Sequence, residues 1–317
     1  MKKRITSTPV IAGAIAVALA VTMSTPAFAA DDHDGVVADA VAEQIAQVAP
    51  SASVVTGLTK EEAFNVSAQN TAVSVPLTLP DFVDVTAEVD GRDQRQTIRT
   101  AITLPEGFVS AEGTIGADGT VVYADAGASP ASRDAIAVQT LADGSTRVQT
   151  VLASPTSAHE FGYELDGFTP VQDGEGNFGF LNGDGILVPV ASPWAKDANG
   201  ADVATRYEIR GDRLVQVVTP SASTAYPIVA DPTWAWWNAG YGAKLNRDET
   251  RDVANGGGNA GICALGLFAN PALAGVCGAL AGYLVGQAGI ANGAGECVVI
   301  IVAPAPSVWR YNDGDCY

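Results

Sequence analysis

The chain has 317 residues, 47% of them hydrophobic and 16% charged, with 35 Asp and Glu against 17 Lys and Arg. A formal charge of −18 repels polyanions at long range, which excludes nucleic acid as a default partner and disfavours anionic lipid surfaces. The four cysteines, Cys263, Cys277, Cys297 and Cys316, have no C-x-x-C spacing, so zinc and dithiol redox chemistry have little support.

Lys2, Lys3 and Arg4 precede an apolar run at 10–21 and then Ala27-Phe28-Ala29. This is the pattern of a secretory signal peptide spanning 1–29 and cleaved near Ala29. Its apolar core is short for a membrane span. Cleavage leaves 288 residues and, with three basic residues gone, a formal charge of −21. In an exported chain four cysteines predict two disulfides.

Residues 30–72 read as a leader. Val37, Val41, Ile45 and Val48 recur at helical spacing, which predicts one short amphipathic helix ending at Pro50 in a loosely docked or disordered arm. Residues 73–230 are rich in Thr and Val in short alternating runs, such as Val73-Ser74-Val75 and Thr120-Val121-Val122-Tyr123. Turn pairs at Asp118-Gly119, Asp143-Gly144, Asp166-Gly167, Asp173-Gly174, Asn199-Gly200 and Gly211-Asp212 punctuate them. That spacing predicts an antiparallel β-sandwich or roll, with a hairpin over 135–153.

Residues 231–246 form a junction that carries Trp234, Trp236 and Trp237. These rings are either a wedge between two packed units or a platform for a glycan or a membrane interface. Asn246 followed by Glu249 predicts a capping box and a helix start. Asn270-Pro271 predicts a second one.

The span 253–295 holds no charge, and 23 of its 43 residues are Gly or Ala. It predicts a helical hairpin within 247–317, followed by strands at 297–302 and 308–311. Gly278, Gly282 and Gly286 follow a G-x-x-x-G-x-x-x-G stripe, a face for close helix packing or for a membrane. Glycine in a helix interior costs about 1 kcal/mol against Ala, so such a stripe calls for compensation. The preferred pairing is Cys263 with Cys277 and Cys297 with Cys316, out of three that are possible. The fold expected overall is α+β: a β-sandwich or roll, then a disulfide-stapled helical hairpin with a terminal β-hairpin.

Motifs for chemistry are sparse. Asp173-Gly174-Glu175-Gly176-Asn177 alternates oxygen ligands, but Phe178 stands where a calcium loop needs Gly, so a hairpin turn is expected. Arg210-Gly211-Asp212 is explained by a tight turn. His33 and His159 stand apart from any nucleophile motif. No catalytic, cofactor-binding or metal-binding residue is singled out, and no cofactor is expected.

Pro193-Trp194-Ala195-Lys196-Asp197, Arg206-Tyr207-Glu208-Ile209-Arg210-Gly211-Asp212 and Tyr226-Pro227-Ile228-Val229-Ala230-Asp231-Pro232-Thr233-Trp234 resemble a group of uncharacterised secreted actinobacterial proteins. Those proteins share a YP-V-ADP-W junction and a Cys-containing Gly/Ala-rich C-terminal unit. The β-rich segments are also similar to modules of large secreted Rhs-type toxins. The resemblance implies secretion and a modular build, and it assigns no activity. Function is therefore expected to be that of a non-enzymatic extracellular interaction or effector module, with a protein, glycan or membrane partner. The alternative is a membrane-active, bacteriocin-like tail carried by a β-domain.

Overall fold

The computed structural model describes residues 30–90, 94–107, 112–124, 133–256, 271–303 and 305–317; the side chains of 30–34, 271–280 and 303 are not described. Residues 1–29, expected to be a signal peptide, therefore lie outside the described residues, as do Cys263 and the side chain of Cys277, and with them their pairing.

In chain order the elements are α1 (Ala30–Val48), β1 (Thr59–Lys60), β2 (Ala63–Ala68), β3 (Thr71–Pro76), β4 (Phe82–Asp90), β5 (Arg95–Thr103), β6 (Thr114–Ile115) and β7 (Val121–Ala124). Then come β8 (Ala135–Thr140), β9 (Thr146–Leu152), β10 (Glu160–Leu165), β11 (Phe168–Asp173), β12 (Phe178–Asn182), β13 (Ile186–Val190) and β14 (Ala195–Lys196). β15 (Ala204–Arg210), β16 (Arg213–Thr219), β17 (Ile228–Ala230) and β18 (Thr233–Trp234) lead to a 3-10 turn at Trp236–Asn238. The chain ends with β19 (Gly240–Lys244), α2 (Arg247–Ala254), α3 (Pro271–Ala294), β20 (Cys297–Ala303) and β21 (Ser307–Tyr311).

Among the described residues the fold is dominated by antiparallel β-structure with three α-helices. One eight-stranded sheet runs β1-β2-β3-β4-β5-β10-β16-β15. A second runs β12-β11-β21-β20-β19-β13-β18-β9-β8-β7-β6. The two meet across one core: Phe64, Val75, Val85 and Ile102 of the first sheet pack with Tyr123, Ile136, Val148 and Trp234 of the second. β-Branched residues supply most of this core, as expected of side chains that suit a pleated, half-buried surface.

α1 is an integral part of this body and not a loose arm. Val37, Val41 and Ile45, spaced one turn apart, are at most 3% exposed. Val41 and Ile45, with Ala38, pack on Val122, Ala135, Ala137, Val151 and Val229 of the second sheet. Each such side chain contributes roughly 1.5–3 kcal/mol on burial, enough to hold the helix down. The first sheet likewise begins at Thr59, within the stretch expected to be leader.

The carboxy-terminal region also departs from expectation. β20 and β21 pair as the expected hairpin, but it is joined to the β-rich domain and does not stand apart. β12 pairs with β13 as well as with β11. β11 pairs with β21, β21 with β20, β20 with β19, and β19 with β13. Six strands thus close into a barrel, half of it built from 168–190 and half from 240–311. Its interior is filled by Val171, Leu181, Leu187, Val299, Ile301, Trp309 and Tyr311, as in small barrels generally. Cys297–Cys316 closes the same cluster as a disulfide.

The outer face of β20 and β21 is covered by helices. Val298, Ile300 and Val308 pack against Leu245, Val253, Leu284, Ala288 and Ala291. α2 starts at the expected capping box, with Asn246 Oδ1 accepting from Glu249 N at 3.0 Å and Glu249 Oε2 accepting from Asn246 N at 2.8 Å. α3 starts at Pro271. The seam between β19 and β20 requires glycine at 242, because a Cβ there would lie 2.2 Å from the Ile300 carbonyl oxygen.

Candidate functional site

The three junction tryptophans have different fates. Trp234 and Trp236 are 0% and 1% exposed and belong to the core between the two sheets. Trp234 meets Tyr163 edge-on at 5.8 Å, a favourable geometry for two quadrupoles. Trp236 donates its indole N–H to Thr146 Oγ1 at 2.9 Å. Trp237 points the other way and is 62% exposed. Its indole N–H donates to Ser145 Oγ at 3.2 Å, so the ring is pinned although its surface is open.

Trp237 edges a groove of about 370 Å³ lined by Gln69, Asn70, Thr71, Glu88 and Asp143. Residues far apart in sequence come together here through three turns and two strands, with Thr71 at the start of β3. The β2–β3 turn supplies Gln69 and Asn70, the β8–β9 turn supplies Asp143, and the 3-10 turn supplies Trp237. β4 supplies Glu88, whose N–H donates to Asn70 O at 2.9 Å. Gln69 Nε2 donates to Ala142 O at 3.3 Å, which ties the first two turns together. Gly144 has φ +88°, and a Cβ on it would stand 3.1 Å from Thr71 Oγ1, so the tight contact depends on glycine. Asp143 Oδ1 accepts from Ser145 N at 2.9 Å, and Glu88 Oε1 accepts from Thr97 Oγ1. The lining thus combines one fixed aromatic surface, two carboxylates, two amides and a hydroxyl, and among the described residues no basic side chain.

A second polar cluster lies in the core. Asp231 is 0% exposed; its carboxylate accepts from Trp194 N and Thr233 Oγ1, both at 3.2 Å. Arg147 Nε also donates to Thr233 Oγ1 at 3.2 Å. Desolvation pushes the Asp231 carboxyl up to about 7, against the hydrogen bonds and the Arg147 charge that pull it down. Burial likewise raises the Tyr163 and Tyr207 phenols, with Asp231 adding to the effect. This cluster is sealed from solvent and ties the 231–234 segment to β9.

The remaining sequence candidates are placed as follows. Gly282 and Gly286 lie on the exposed side of α3; among the described residues nothing comes within 4 Å of a Cβ built on either. The surroundings of Gly278 lie outside what is described. The opposite side of α3 carries Leu284, Gln287, Ala288 and Ala291, all buried. No described helix is long and apolar enough to cross a membrane. The Asp173 carboxylate is occupied by Glu175 N, Asn177 N and Asn177 Nδ2 at 2.7–2.9 Å, the hairpin turn expected there. Among the described residues no group of three metal-ligating side chains converges. Arg210 of the Arg-Gly-Asp turn is engaged by Glu160 and Glu208.

The exposed Trp237 was within reach of sequence reasoning as one of three tryptophans, but its groove partners were not. Comparison of the chain with protein-family models, curated proteins and solved structures gives no match.

Proposed function

We propose that the protein is a secreted, non-enzymatic binding module whose ligand-contacting surface is the groove beside Trp237. The observation that carries this reading is an exposed tryptophan held by its own indole hydrogen bond at the edge of a polar groove. Solvent-exposed rings are ordinarily mobile, and here the cost of ordering one is already met by the fold. Export is supported by the signal-peptide pattern and by the Cys297–Cys316 disulfide, since such bonds persist in oxidising compartments. A membrane-active tail has less support. The apolar side of α3 described here is consumed against the barrel and α2, and the strands that follow are barrel staves.

Pelleting with washed bacterial envelopes and extracellular polymer tests the reading. Wild type is expected to leave the supernatant, and Trp237→Ala, a change at an exposed position, is expected to remain in it. Equal retention of the two, or retention of neither, contradicts the proposal.

A further inference from the structure

We infer that the Trp237 groove takes a neutral saccharide, stacked by its C–H face on the indole. This rests on the reading of that groove as the ligand-contacting surface. A pyranose ring presents an apolar face of C–H groups and a rim of hydroxyls, each both donor and acceptor. The groove matches both parts. Trp237 offers a flat apolar ring that is fixed and 62% exposed. Around it stand acceptors on Glu88 and Asp143 and donor–acceptor groups on Gln69, Asn70 and Thr71.

The charges narrow the class. Among the described residues no basic side chain lines the groove, and two carboxylates repel phosphate, sulfate and uronate groups. A cation over the indole is the other chemistry an aromatic ring with carboxylates can hold. Here each carboxylate already gives one oxygen to a donor of the fold, Glu88 Oε1 to Thr97 and Asp143 Oδ1 to Ser145 N. Three of the six lining side chains are neutral hydrogen-bonding groups. That composition suits hydroxyls better than an ammonium.

Size and order agree with this. A volume of about 370 Å³ lies at the lower end of ligand clefts, roughly 300–1,000 Å³. It suits one or two sugar rings. The walls are set before the ligand arrives: the Gln69–Ala142 hydrogen bond and the close contact of Gly144 with Thr71 lock the two turns together. An open groove covers only one face of its ligand, so affinity is weak, with Kd on the order of 1 mM.

Calorimetry and saturation-transfer NMR on the full secreted chain test it, with cellobiose, maltotriose and N,N′-diacetylchitobiose as probes and tetramethylammonium chloride as the cationic comparison. At least one saccharide is expected to bind, with transfer strongest at ring C–H protons. Trp237→Ala is expected to weaken binding at least tenfold and Trp237→Phe less. Asn70→Ala, whose side chain makes no hydrogen bond among the described residues, is expected to weaken it without changing thermal stability. Binding undiminished in Trp237→Ala, binding of tetramethylammonium alone, or no saccharide bound up to its solubility limit would each overturn the inference. Trp237-dependent envelope retention that these saccharides fail to bind or compete would overturn the saccharide while leaving the binding module standing. Loss of both would overturn the site.

Discussion

Asp231→Asn is the most direct probe of the sealed polar cluster. The wild-type carboxyl is fully buried, and desolvation raises it from 3.8 to about 7. A carboxyl whose pKa is higher folded than unfolded binds its proton more tightly in the native state. Its stabilising contribution is complete below the unfolded value and is lost as pH rises through the folded one. Wild-type stability therefore falls between about pH 4 and pH 7 on account of Asp231 and is flat in that respect above. The gap between 3.8 and about 7, at 1.36 kcal/mol per pH unit, amounts to on the order of 4 kcal/mol. Asparagine keeps an oxygen for Trp194 N and an amide for Thr233 but cannot ionise. Glu160 and Glu208, held below the usual carboxylate range by Arg210, have the opposite slope. They are present in both proteins and cancel in the difference. Urea unfolding across pH 4–8 gives that difference: the variant is expected to gain on wild type through the window by several kcal/mol. Parallel curves would refute a buried, proton-sensitive Asp231.

Three other outcomes follow from the geometry. Gly242→Ala drives a Cβ into the Ile300 carbonyl and is expected to cost about 1–3 kcal/mol in denaturant unfolding. Gly282→Ala places its Cβ in open space on a helix and is expected to stabilise by up to about 1 kcal/mol. A large loss there would mean that the glycine stripe packs closely. Replacing Cys297 and Cys316 together with Ala opens a loop with a sequence separation of 19, an expected loss of about 3 kcal/mol in the same assay.

Local signals were legible in the sequence, and pairings between distant segments were not. The capping box at Asn246 and Glu249, the strand from Cys297 and the 135–153 hairpin are written in neighbouring residues, and each is found; the Asn270 cap expected before Pro271 lies outside the described residues. The Cys297–Cys316 bond was preferred because it closes adjacent strands. The docking of α1 escaped notice because Val37, Val41 and Ile45 do not say which surface they cover. The barrel escaped for a related reason. Gln172 pairs with Arg310 and Ile186 with Tyr241, and no periodicity within either segment encodes the other. Gly242, which makes the seam possible, reads locally as one more glycine in Gly240-Tyr241-Gly242. The Trp237 groove likewise joins positions near 69, 88, 143 and 237 that only tertiary structure brings together.

The carboxy-terminal strands are staves of one closed barrel shared with residues 168–190, not a separable unit. Native-state hydrogen exchange along a urea series tests it most directly. Amides of β19, β20 and β21 are expected to open together with those of β11, β12 and β13, at the same free energy and the same urea dependence. Early, independent opening of 240–317 while β11–β13 stay protected would contradict the account and restore a detachable tail.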